Sequence, residues 1–145
     1  MSERAIHGPI DVQVMEFPAN ANGAATCRAV VDLMDRGTVQ VYDLMVVSKA
    51  ADGSCTLVDL ATADGALAGL APLAGARSGL LGDSDVVDAA DVLEPGTVGL
   101  ILVYENTWAV PFATAALGEG GQMVASSRLT VQEIIDALDA AESAD

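Results

Sequence analysis

Hydrophobic positions change period along this chain, and each change marks an element. Ile10, Val12 and Val14 alternate with Asp11, Gln13 and Met15, the period of a strand with one face on a core. Pro18 and the run Ala19-Asn20-Ala21-Asn22-Gly23 end it. Ala24, Cys27, Val30, Val31 and Met34 then recur at helical spacing, with Arg28, Asp32, Asp35 and Arg36 opposite. Asn22 is the expected N-cap, and Gly37 the residue just past the C-cap. From Thr38 to Lys49 the period returns to two. Val39, Val41, Met45 and Val47 share one face around Asp43, and Tyr42, Leu44 and Val46 share the other. Both faces of this strand are apolar, so both need cover. Asp52-Gly53 is a hairpin turn, and Cys55 to Leu60 the returning strand.

Ala63 to Gly82 is an Ala/Gly/Leu tract, followed by a short helix from Ser84 to Leu93 with Val86, Val87, Ala90 and Leu93 inward. Thr97 to Tyr104 is nearly continuous apolar sequence, as a central strand requires. Asn106 to Gly121 reads as a helix with Pro111 in its first turn, and Gln122 to Arg128 as a last strand. Thr130-Val131-Gln132-Glu133 is a capping box opening a terminal helix striped by Val131, Ile134, Ile135 and Leu138.

Strand, helix and strand thus occur twice, over 9–49 and 97–128. The pattern predicts an α+β fold, a ferredoxin-like split βαβ sandwich. It spans one domain, 9–138, after a disordered lead (1–8) and before a frayed tail (139–145). Residues 63–93 are not required by that pattern and read as an insertion. An uncovered apolar sheet face would then call for a second subunit.

Composition narrows the function. The chain of 145 residues is one domain by length, and its 52% hydrophobic and 3% aromatic content means an aliphatic core. Net charge is −15. Phosphate backbones are held by Lys and Arg, so nucleic acid is not an expected partner, and anionic membranes are disfavoured for the same reason. Solubility explains the charge; a cation site or a basic partner protein is the sharper reading. Cys27 and Cys55 have no zinc-site spacing and are expected to fill core volume. The polar start Met1–Arg4 lacks the apolar run of a signal peptide, pointing to the cytoplasm.

Candidate chemistry is sparse. Asp43, with Asp11 and Glu105 near it if the strands pair as drawn, could form a carboxylate cluster; a carboxylate bonded to Arg128 is the plainer reading. Trp108 and Glu105 at a strand-to-helix turn, with Tyr42 and Asp43, are the candidate ligand pocket. The acidic run Asp83, Asp85, Asp88 and Asp91 lacks the oxygen spacing of a calcium loop. His7 is the sole histidine and lies in the lead, which leaves no expected triad. Gly65 and Gly69, like Gly75 and Gly79, are four apart, a spacing that permits close helix approach and marks a candidate subunit contact. No cofactor, metal or catalytic residue is expected.

The run Leu93-Glu94-Pro95-Gly96-Thr97 through Glu105-Asn106-Thr107-Trp108 resembles a small bacterial family of uncharacterised proteins, a domain of unknown function sometimes labelled general-stress or membrane-associated. Gly8-Pro9-Ile10-Asp11, the strand Val39–Val47 and the Ala/Gly/Leu tract fit the same pattern. The resemblance implies fold and length rather than an activity. The tract departs from it, being short and broken by Pro72, Arg77 and Ser78, which argues against a membrane segment. The leading expectation is a non-enzymatic, self-associating interaction protein. The alternatives are a small-molecule binder or enzyme of the dimeric α+β-barrel kind, and a peripheral membrane stress protein.

Overall fold

A computed structural model describes residues 7–61, 66–125 and 127–144. Four strands, β1 (Ile10–Pro18), β2 (Gln40–Lys49), β3 (Cys55–Val58) and β4 (Thr97–Glu105), form one sheet in the order β1-β4-β2-β3. Every neighbouring pair is antiparallel. The helices are α1 (Ala24–Asp35), α2 (Asp83–Val92), α3 (Val110–Gly118) and α4 (Val131–Ser143). The fold class is therefore α+β, as the periodicity predicts.

Burial explains the strand order. Between its ends β4 is buried at almost every position, and β2 is buried from Asp43 to Val47. These two strands take the centre because both their faces are apolar. β1, with polar residues alternating and Pro18 at its end, takes an edge. A ferredoxin-like sheet keeps its first and third strands central; here the second and fourth are. Two β-α-β units still interleave, but they are β1-α1-β2 and β3-α2-β4. The expected last strand, Gln122–Arg128, is absent: its described residues are irregular and exposed. Alternation of Met123, Ala125 and Ser127 with Val124 and Ser126 is too short to select a pairing partner.

The described part of the expected insertion, 66–93, belongs to the crossover of the second unit and covers both sides of the sheet. Leu67, Leu70 and Leu73 pack with Cys27 and Val30 of α1 against Leu44, Val46, Val98, Leu100 and Leu102. Ala68–Ala76 is a 3-10 helix, whose three-residue turn places those leucines on one side. Leu81, Ala89 and Leu93 pack on the opposite face, against Met45, Val47, Ile101 and Val103. Val87, expected inward, is exposed, and Ala89 takes its place. Lys49 Nζ donates to the carbonyls of Ala90 and Leu93, meeting the negative end of α2.

The signals at the end of α1 and the start of α4 hold, whereas Asn22, the expected cap of α1, lies one residue before it. After α1, the Thr38 N–H reaches the Leu33 carbonyl and the Gly37 N–H reaches that of Met34, a Schellman closure. At its start Gly23 is the cap residue, while Asn22 Oδ1 accepts from the Ala24 N–H at 3.1 Å. Thr130 and Glu133 form the expected capping box on α4. Cys27 is buried, Cys55 half-buried, and both are free thiols.

Candidate functional site

The strict alternation of β2 fails at one residue. Val41 pairs with Tyr104 and Asp43 with Val103, so Tyr42 is an extra residue, a β-bulge. The bulge exchanges the faces of the first part of the strand. Val41 packs with the Leu44 and Val46 layer, and Tyr42 with that of Met45 and Val47. This reverses the assignment that alternation predicts.

The bulge sends Tyr42 and Asp43 to different tasks. The Tyr42 hydroxyl donates to Glu105 Oε1. Glu105, at the end of β4, is 0% exposed and accepts the Gly8 N–H at Oε2, 2.7 Å away. His7 Nδ1 lies 3.9 Å from Glu105 Oε1. The lead therefore ends in a fixed contact at His7 and Gly8. Only glycine fits there, since a Cβ on Gly8 would lie 2.0 Å from the Asn106 carbonyl oxygen.

Asp43, also 0% exposed, holds the crossover instead. Its carboxylate accepts N–H groups from Leu44 (2.8 Å), Ser78 (2.8 Å) and Leu81 (2.7 Å), and the Arg77 guanidinium at 3.0 Å. Burial pushes this carboxyl up, but the Leu81 and Ser78 N–H groups, Arg77 and the Leu44 N–H outweigh it, and its pKa lies below the ordinary carboxylate value. The partner is Arg77, not Arg128. Arg128 pairs with Asp11, which also accepts from Asn106 Nδ2 at 2.9 Å. Those two bonds, Arg128 first, lower the Asp11 pKa.

The anticipated carboxylate cluster thus resolves into three separately satisfied acids. Among the described residues no group of three His, Cys, Asp or Glu is placed to hold a metal ion. Of the proposed pocket, Tyr42 and Glu105 meet; Asp43 binds the crossover, and Trp108 lies outside, 57% exposed. Trp108 stacks on Phe112 with ring centroids 6.3 Å apart, and its Nε1 donates to Asn106 Oδ1. It borders an open groove of about 670 Å³ together with Ile10, Asp11, Asn106, Arg128 and Leu129.

The tract glycines serve different ends. Gly69 sits against the start of α1: its N–H donates to the Asn22 carbonyl at 2.8 Å, and a Cβ there would lie 2.5 Å from the Ala24 nitrogen. Gly75 and Gly79 face open space. Gly65 and Ala63 lie outside the described residues.

What sequence reasoning missed is the imbalance of cover. Ile10, Val12 and Val14 lie on the α2 side of the sheet, opposite Glu105, Val103 and Ile101, and all three are exposed. Trp108, Phe112, Leu117, Ile134, Ile135 and Leu138 of the C-terminal third are exposed as well. Neither α3 nor α4 has a buried residue. The terminal stripe is visible in the sequence; that none of the described residues buries it is not.

The architecture defines a small α+β protein with a four-stranded antiparallel sheet and apolar elements left outside its core. A family of unknown function, DUF6325, matches residues 6–144, and the chain belongs to that family. No curated protein and no solved structure matches the chain. No helix among the described residues is long and apolar enough to cross a membrane.

Proposed function

We propose that this protein is a non-enzymatic interaction protein that works by self-association. One observation carries the reading: exposed apolar side chains recur along β1 (Ile10, Val12, Val14, Met15) and along α4 (Val131, Ile134, Ile135, Leu138), outside the core. Scattered exposed apolar residues are ordinary, but contiguous ones mark binding surfaces. The acids at the sheet support a structural role, since each is matched by donors within the fold.

Charge sets the expected behaviour. Two copies at −15 each repel. Salt shortens the reach of that repulsion from about 30 Å at 0.01 M to about 8 Å at 0.15 M and leaves apolar burial in place. Association should therefore tighten as salt rises over that range. Size-exclusion chromatography with light scattering at both ionic strengths reads it directly. A monomer at high micromolar concentration in both buffers would overturn self-association.

A further inference from the structure

Building on self-association, we infer that β1 is the contact: two copies pair edge to edge through β1, antiparallel about a two-fold axis at Val12, to give one continuous eight-stranded sheet.

The backbone supplies the first argument. In an antiparallel ladder, alternate residues bond to the neighbouring strand and the others point away. The Asn106 N–H donates to the Pro9 carbonyl, in the same register that pairs Ile10 with Glu105. Odd-numbered residues therefore bond to β4. The N–H and C=O groups of Ile10, Val12, Val14 and Glu16 point to the open edge, and among the described residues no strand pairs with them. Three of the four residues with outward-pointing backbone groups, Ile10, Val12 and Val14, also carry exposed apolar side chains.

The second argument is the lack of protection. Edge strands are normally blunted by charged side chains, proline, a bulge, shortness or a covering element. β1 runs for nine residues, in unbroken register with β4, with proline only at its end and no lysine; Arg128 meets the Asp11 side chain, and no described strand pairs with the edge.

The third is self-complementarity, which selects the occupant. Centred on Val12, the pairing sets Ile10 opposite the partner's Val14, Val12 opposite the partner's Val12, and Asp11 opposite the partner's Gln13. Three apolar pairs form on the α2 side and two hydrogen-bonding pairs on the other. No acid meets an acid, although the chain is strongly acidic. Shifting the centre to Asp11 sets two aspartates face to face, and shifting it to Gln13 sets Glu16 against Ile10. An isologous contact of this kind closes at two copies.

A symmetric crosslink tests the register. Paired residues of the hydrogen-bonded type have Cα atoms about 5.5 Å apart, within disulfide range. Val12→Cys should therefore dimerise covalently under mild oxidation. Val14→Cys should not, because its copies would be about 13 Å apart along the strands. Oxidised wild type, with its native thiols, is the background. Val12→Lys, at a site 61% exposed, should give a monomer with unchanged circular dichroism. An assembly that forms without the Val12→Cys crosslink, or that survives Val12→Lys, overturns edge pairing and leaves self-association standing. A wild-type monomer, including one that associates only with a basic partner protein, overturns both.

Discussion

Replacing Asp43 by alanine should destabilise the fold by about 2–4 kcal/mol, because it leaves backbone N–H groups unpaired and takes the carboxylate from the half-buried Arg77. Four donors converge on this carboxylate, and three are backbone N–H groups. The site has a mechanical task. The 3-10 segment lies on one face of the sheet and α2 on the other, so the chain must pass between them. It does so at Arg77–Leu81, beside the part of β2 that the four-residue β3 leaves unpaired. The Ser78 hydroxyl also donates to the Tyr42 carbonyl at 2.7 Å, fastening the passage to the bulge. Asp43→Asn should retain part of the stability, because one oxygen still accepts. Chemical denaturation measures both variants.

The same carboxylate sets an acid dependence. Its pKa is depressed by folding, so its contribution is present above the ordinary aspartate value near 3.9 and is lost as pH falls through the lower folded value. Wild type should lose stability in that acid window more steeply than Asp43→Asn. Parallel curves for the two proteins would remove Asp43 from the account.

Gly69→Ala is the second large effect, about 2–4 kcal/mol. The new methyl would sit 2.2 Å from Asn22 Oδ1 and 2.5 Å from the Ala24 nitrogen. Backbone cannot yield there without moving the start of α1 or lifting the 3-10 segment. Lifting the segment would withdraw Leu67, Leu70 and Leu73 from the core. Gly75→Ala, with open space around it, serves as the control and should be nearly neutral. Thermal melts of the pair compare them; equal melting temperatures would contradict the close approach.

Much of the fold is legible in periodicity, because burial on one face leaves a regular trace. β1, α1, the β2–β3 hairpin, the continuous apolar β4 and the capped α4 all follow from it. The 3-10 segment is not legible in the glycines four apart, because its packing lies in leucines three apart. The bulge escaped because alternation carries no mark of an inserted residue. Val41 and Tyr42 therefore appear on the wrong sides until the pairing with β4 is known. Strand order is a global property, and so the apolar content of β4 predicted its central place but not its neighbours. The candidate site was half legible: Glu105 and Tyr42 are joined, while Asp43 and Trp108 serve elsewhere.

The position of β4 between β1 and β2 has a consequence for biosynthesis. A ribosome delivers β1, α1, β2 and β3 first, yet the two strands flanking α1 have no direct bond to each other. The nascent N-terminal half carries a slot one strand wide, and Ile10 waits for Glu105 to emerge. Pairings so distant in sequence close slowly. Until translation passes residue 105, the open sides of β1 and β2 are surfaces for a chaperone, or for a neighbouring nascent chain, to occupy.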